Sequence, residues 1–568
     1  MSLKILYCQP KESFGDTRFL TSFLRISNYL NSKKDQLNGE IEEEYLDLRF
    51  ENLPVYCPEH LSEFRDRLKT FLLDIHQRFK FDVLAITCFT SFTYLNCIEV
   101  SWMIKDKINP SCQIIVGGVH PTTYPRDFYA ENIPEYFNNY YPRNSTPFDA
   151  ICIDEGELPF FHFIQNLLNG KIIIRKNLNE NPLILTKELM HDLDELPIID
   201  LRLFKKYGDV LNSKGEFYLN WSRGCIFRCL FCSSSPDSKM ESYRRVRIKS
   251  VIKCIDELKI ILNTKWLSLK KLMIDDAVFF PKRTQREKFF KEFDKVYQQY
   301  EIPFQIFLHD RMELCSIRDL ERYKKYNMIP GFGLETGSST LLCRLGKFLG
   351  KNNNLANASQ YLKLAEKFII KANNLDTTIV FLCMGATPGE IKKTIKESQE
   401  FFLGKRFSGK SLIEKYKVNL QIQKFGLLPS NTFYEKGEEF FGAEYYFKQW
   451  YKIFDKEQAL YSAIFRPSEH LSFPESMNFL TKFLGILYKA QLRLRNPFYS
   501  FPEYVYHQKL YKRMVELYHQ KVNLEGKDQT HYRSAYVALL PIILFLSFML
   551  NFFPVFCFLL FLRISRSY

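Results

Sequence analysis

Trp221-Ser-Arg-Gly-Cys225-Ile-Phe-Arg-Cys229-Leu-Phe-Cys232 carries three cysteines at Cys-x3-Cys-x2-Cys spacing. Three thiolates in one short loop can each hold an iron of a 4Fe-4S cube. No fourth cysteine stands near them in sequence, so one iron is left for a non-protein ligand. Electron-transfer clusters normally take four protein ligands; an open corner suits chemistry better. The competing readings are a zinc site or three unrelated structural cysteines. Zinc usually takes paired Cys-x2-Cys or Cys/His sets, and no His flanks this loop. The spacing favours the cluster, with Cys225, Cys229 and Cys232 as its ligands.

Outward from the triplet, strands and helices alternate. Glu216–Asn220 leads into the cysteines, and a helix is expected over Ile248–Leu262. Later strands are expected at Lys271–Ile274, Phe304–Leu308, Gly331–Leu334, Thr377–Leu382 and Asn419–Gln423. Their ends carry Asp275-Asp276, His309-Asp-Arg311, Glu335-Thr-Gly and Met384-Gly-Ala-Thr-Pro-Gly389. Six such units predict a partial (β/α)6 barrel over 213–440, with chemistry at the carboxyl ends of its strands. Asp275 and Asp276 can accept hydrogen bonds from an ammonium or hydroxyl group or cap a helix. Glu335 can hold a ribose diol, as acidic residues do in other nucleotide sites. Arg311 suits a carboxylate or a surface ion pair.

Residues 1–170 alternate in the same way. Strands are expected at Lys4–Cys8, Glu44–Leu48, Asp82–Thr87, Gln113–Gly117 and Asp149–Ile153, with helices between them. Apolar runs without polar alternation indicate a parallel sheet covered on both faces, a Rossmann-like (flavodoxin-like) α/β domain. Ligands of such sheets bind on the loops at the carboxyl ends. Two loops there stand out, Gly117-Gly118-Val-His120-Pro-Thr and Asp154-Glu155-Gly156-Glu157. Residues 171–212 read as a connector in which Pro197 stops any helix. Residues 441–530 read as a helical, aromatic-rich region over the barrel mouth.

The triplet, with Phe231 before its last cysteine, resembles the signature of the radical S-adenosylmethionine (SAM) enzymes. With the two loops ahead of it, the chain resembles the cobalamin (B12)-binding domain-containing radical SAM proteins over residues 1–435. That family carries Gly-Gly-x-His-x-Thr and Gly-Glu-Gly-Glu; Asp154 stands here in place of the second motif's first Gly. The resemblance implies cobalamin near Gly117, Gly118, His120, Glu155, Gly156 and Glu157. It implies SAM near Asp275, Asp276, Glu335 and Gly385, with Leu342 and Lys347 continuing the Glu335 segment. The Met384–Gly389 loop is one residue longer than the family's. No Asp-x-His-x-x-Gly motif supplies a cobalt-ligating His, and no His precedes His60. The implied activity is reductive cleavage of SAM to a 5′-deoxyadenosyl radical, leading to methylation or other C–H functionalisation. A flavodoxin- or ferredoxin-type reductant is the implied partner.

The 568 residues, 46% of them apolar, suffice for two to four domains. Fourteen scattered cysteines argue for a reducing compartment. The net charge of +15 is spread without a compact basic tract, which argues against nucleic acid and for solubility plus attraction to an anionic membrane face. Ala535–Leu562 contains no formal charge. At ~1.5 Å per residue it exceeds the ~20 residues a bilayer requires, although Pro541, Asn551 and Pro554 leave its path open. The expectation is a chain anchored at the cytoplasmic face of a membrane by this segment, acting on a lipid-like or small-molecule substrate. Two other readings are a methylthiotransferase-type radical SAM enzyme and a membrane-bound iron-sulfur redox sensor without catalysis.

Overall fold

The computed structural model describes residues 2–11, 19, 21–171, 177–185, 188–348, 352–372, 375–381, 392–393, 396–398, 400–401, 418–424, 428–494 and 501–522. Residues 1–508 form one compact unit and 509–568 a second. The first unit contains two six-stranded parallel sheets.

The N-terminal sheet comprises β1 (Ser2–Gln9), β2 (Glu40–Asp47), β3 (Val83–Thr87), β4 (Gln113–Gly117), β5 (Ala150–Ile151) and β6 (Leu183–Ile184). Their order is β2-β1-β3-β4-β5-β6, and every pair is parallel. This is the flavodoxin-like order, whose direction reverses between β1 and β3 and opens a ligand crevice there. All five residues of β3 are buried, as a doubly covered strand requires. Helix α1 (Ser22–Ser32) follows β1. Helix α2 (Leu61–Phe79) buries Phe64, Leu68, Leu72, Ile75 and Phe79, one stripe at helical spacing. Helices α3 (Tyr94–Trp102), α4 (Val119–Thr123) and α5 (Glu157–Leu168) complete the unit. Helix α3 passes directly into a π-helix at Met103–Ile108. The connector is not a bare spacer, because β6 adds an edge strand to this sheet.

The second sheet runs β7 (Glu216–Leu219), β10 (Lys271–Ile274), β11 (Gln305–Asp310), β12 (Met328–Gly333), β13 (Leu375–Phe381) and β14 (Val418–Lys424) in sequential order, all parallel. That is the strand order of a partial (β/α)6 barrel. The two-residue strands β8 (Ser222–Arg223) and β9 (Arg247–Ile248) form an antiparallel pair on either side of the cysteine loop. Helix α6 (Gly208–Lys214) precedes the sheet, and α7 (Val251–Asn263) begins three residues after the expected start. Ile248 is held in β9, and Ser250 caps the helix by accepting from the Lys253 N–H. Helices α8 (Arg283–Gln299) and α9 (Ile317–Lys325) cover the next two crossovers, α9 starting in a capping box between Ser316 and Asp319. Helices α10 (Ser339–Arg344) and α11 (Leu355–Ala372) cover the third.

The aromatic stripe after residue 440 is largely core, as its spacing suggests. It also docks on the N-terminal domain rather than only on the barrel. Trp450 packs on Phe92 with ring centroids 4.6 Å apart, Phe454 stacks on Tyr136 at 4.6 Å, and the Tyr451 hydroxyl donates to Asp127 at 2.9 Å. No helix among the described residues is long and apolar enough to cross a membrane. The expected membrane segment, 535–562, lies outside the described residues.

Candidate functional site

Residues at the carboxyl ends of both sheets line one cavity of about 810 Å³, within the size range of small-molecule and cofactor sites. Cys225, Cys229 and Cys232 are all in its wall. Gly224 turns the chain into the cysteines at φ +85°, and a Cβ there would lie 2.5 Å from the Arg245 carbonyl oxygen, so the position needs glycine. The Leu230 N–H donates to the Leu345 carbonyl at 3.1 Å, and the Leu230 carbonyl accepts from the Phe433 N–H at 3.1 Å. Cys229 is buried with Phe227 and Val278, while Cys225, Phe231 and Cys232 pack against that group.

Burial pushes the Cys232 thiol up to about 12, with the neighbouring Cys229 and Cys225 adding to the rise; burial also raises Cys225. Bare thiolates are therefore disfavoured, and a metal that replaces the protons would relieve the conflict. Among the described residues no three His, Cys, Asp or Glu side chains converge on a single-ion position. Cys225, Cys229 and Cys232 lie together in one cavity wall, the donor set that a cluster with one iron per thiolate would take. Arg311 lies against them. Its guanidinium is 3.8 Å from the Cys229 Sγ, sits 3.7 Å from the Phe227 ring centroid, and donates to the Lys347 carbonyl at 2.7 Å.

Strand ends of the barrel supply the rest of that wall. Asp276 is buried, and its Oδ1 accepts the backbone N–H of Trp221 at 2.8 Å and of Ser222 at 2.9 Å. It thus holds the start of the cysteine loop. Burial raises its carboxyl to about 7 despite those bonds. Asp275 is half-exposed to the cavity, 3.9 Å from His309 Nε2. Glu335 adopts φ +68° and ion-pairs with Lys347 at 2.8 Å. A Cβ on Gly333 would lie 2.4 Å from Glu335 Oε1, so that glycine makes room for the folded-back carboxylate. Gly385 and its loop lie outside the described residues.

Across the cavity are the loops of the N-terminal sheet. Gly118 has φ +116°, and a Cβ would lie 2.6 Å from the Cys88 carbonyl oxygen. Gly117 is less constrained, meeting Cys152 at 3.6 Å. His120 is buried, its Nδ1 2.8 Å from Ser91 Oγ and its Nε2 3.3 Å from Asp127 Oδ2. Burial lowers its pKa against the opposing pull of Asp127, and the ring is engaged inside the domain. Gly156 backs onto Ile26, where a Cβ would lie 2.7 Å from Cδ1.

Glu155 and Glu157 line the cavity, but their carboxylates are taken by arginines. Glu155 pairs with Arg247 at 2.5 Å and Arg223 at 2.9 Å, and Glu157 with Arg223 at 2.5 Å. Sequence reasoning assigned these glutamates to a cofactor and missed both arginines. Arg223 sits inside the quoted motif, but nothing local marks its partners.

Open α/β sheets facing each other across a cysteine-lined cavity have known counterparts. The structure of OxsB, a cobalamin-dependent SAM radical enzyme with aqua-cobalamin and SAM bound, matches with a TM-score of 0.58 at 16% identity, covering 93% of this chain and 73% of that one. The radical SAM methyltransferase TsrM of Kitasatospora setae, with cobalamin and a [4Fe-4S] cluster, matches at 0.52 and 12% identity, covering 76% and 74%. This chain has the fold of the cobalamin-dependent radical SAM enzymes.

In sequence, an uncharacterized methyltransferase of Pyrococcus horikoshii is 30% identical over 197 residues, 33% of this chain and 38% of that protein. The anaerobic magnesium-protoporphyrin IX monomethyl ester cyclase of Rubrivivax gelatinosus is 24% identical over 194 residues, 32% and 31%. The chain therefore spans well under half the length of either relative. No family model matches the chain.

Proposed function

We propose that this chain is a cobalamin-dependent radical SAM enzyme that functionalises a C–H bond, most simply by methylation, of a small or lipid-like substrate. The observation that supports it best is the shared cavity, with Cys225, Cys229 and Cys232 on one side and the Gly118 loop at the flavodoxin-like crevice on the other. When bound, the cluster and SAM supply a 5′-deoxyadenosyl radical, and cobalamin supplies a methyl group. The three cysteines would hold the cluster. Glu335 would present Oε2 to the ribose hydroxyls while Lys347 holds Oε1. Asp275, half-exposed at the strand end, would accept from the SAM ammonium. Asp276 fixes the loop that carries the cysteines, and Gly118 lets the crevice loop fold tightly against the Cys88 carbonyl. Phe19, Phe89, Phe227 and Phe231 line the cavity with apolar surface that excludes water from a reactive radical. Attachment to the cytoplasmic face of a membrane through 535–562, and a flavodoxin- or ferredoxin-type reductant, complete the proposal.

Anaerobic reconstitution with iron, sulfide, SAM and dithionite tests it. The expected product is 5′-deoxyadenosine, and Cys225→Ala, Cys229→Ala or Cys232→Ala each removes both the cluster's visible absorption and the product. A reconstituted wild type that never forms 5′-deoxyadenosine would leave the redox sensor as the better reading. Cleavage of SAM by a protein that takes up no corrinoid would favour a radical SAM enzyme without cobalamin.

A further inference from the structure

We propose that the acidic loop after β5 is a brace between the two cofactor centres rather than a cofactor ligand, so that occupancy of one is felt at the other. The inference rests on the functional reading above and assigns Glu155, Glu157, Arg223 and Arg247 as positioning residues. Arg223 and Arg247 stand opposite each other in the β8–β9 pair, and Arg223 is separated from Cys225 by Gly224 alone. Both guanidiniums reach across the domain boundary. Glu155 Oε2 accepts from Arg247 at 3.0 Å and lies 2.9 Å from Arg223, and its Oε1 accepts from Arg247 at 2.5 Å. Glu157 Oε1 accepts from Arg223 at 2.5 Å. Both carboxylates are buried. A ligand that used them would have to displace an arginine from each, leaving a part-buried cation without its partner.

The other end of the brace reaches the crevice. The Asp154 N–H donates to Thr122 Oγ1 at 2.9 Å, and that hydroxyl donates to the Gly118 carbonyl at 2.7 Å. Asp154 Oδ1 accepts from the Ser242 N–H at 3.2 Å and hydroxyl at 3.0 Å, on the segment leading to Arg247. A continuous polar path therefore runs from Gly118 through Thr122, Asp154, Glu155 and Arg223 to the cysteine loop. Anything that moves the Gly118 loop on binding must strain or relax this path, and the reverse must hold by linkage.

The test uses the full chain under anaerobic conditions. The affinity for hydroxocobalamin is measured with and without the reconstituted cluster, and the EPR spectrum of the reduced cluster is recorded with and without corrinoid. The wild type should bind corrinoid at least about fivefold differently in the two states, with a changed EPR line shape. In Glu155→Gln and Arg223→Lys, each centre should still load, the affinity ratio should fall to about one, and the line shape should no longer respond. A wild type that binds both groups with a ratio of one overturns the brace without any variant. An unchanged ratio in a folded, fully loaded variant does the same. A wild type that binds no corrinoid, or assembles no cluster, instead overturns the functional reading.

Discussion

Asp154 and Glu335 hold left-handed backbone at φ +62° and +68°, where a side chain other than glycine costs energy. Asp154 is the residue that departs from the family's glycine, and Asp tolerates this region better than most residues. Its carboxylate also gains two bonds to Ser242. Asp154→Gly should relieve strain while losing those bonds, for a net stability change within about 1 kcal/mol. Asp154→Ala keeps the strain and loses the bonds, so it should cost about 2 kcal/mol, read by thermal or denaturant unfolding. Asp276 makes a pH-dependent prediction. Burial lifts its folded pKa to about 7, above the ordinary carboxylate value of 3.8. The protonated group's contribution is complete below the unfolded value and is lost as pH rises through about 7. Asp276→Asn keeps an acceptor for Trp221 and Ser222 but cannot ionise. Its stability relative to wild type should therefore rise between about pH 4 and pH 7, by up to about 4 kcal/mol at 1.36 kcal/mol per unit, and stay level above that. Parallel melting curves across that range check it, and a constant difference refutes the assignment.

Elements that bury both faces were legible in the sequence. Gln113–Gly117 was read with its observed ends, and Asp82–Thr87 to within a residue, because an unbroken apolar run has few other uses. The start of β2 was missed. Glu40-Ile-Glu-Glu-Glu44 hides an edge strand whose first half is exposed or half-buried and so carries no apolar run. Two-residue strands such as β6 and β9 left no periodic signal at all. The cysteine triplet was legible because its spacing is local. The Arg223–Glu157 pair spans 66 residues and the Arg247–Glu155 pair 92, and no local pattern encodes such distances. The same holds where α1 meets α7. Arg25 grips Glu257 at 2.5 and 3.1 Å, and Lys249 joins at 2.6 Å, all buried. Glu257→Ala would leave two cations unpaired between the domains. A loss of about 3–5 kcal/mol is expected, measured by denaturant unfolding. Adding Arg25→Met and Lys249→Met should recover much of it, since an apolar replacement of a whole buried ionic group is tolerated better than half of one.

At the scale of the whole molecule, two forces would act toward a membrane, and they differ in their response to salt. The net charge of +15 favours an anionic surface, at about 1 kcal/mol for each Lys or Arg near it, and this attraction fades within a Debye length of ~3 Å at 1 M salt. Burial of the uncharged run Ala535–Leu562 in hydrocarbon does not weaken with salt. The intact chain should therefore sediment with membranes at about 0.1 M and about 1 M salt alike and come off only in detergent. A chain truncated before Ala535 should be soluble at high salt, and any membrane-bound fraction at low salt should wash off as the salt is raised. A truncated chain that resists the high-salt wash would place the anchor elsewhere in the molecule. An intact chain released by salt alone would reduce the apolar run to packing against protein, and with it would go the argument for a lipid-like substrate.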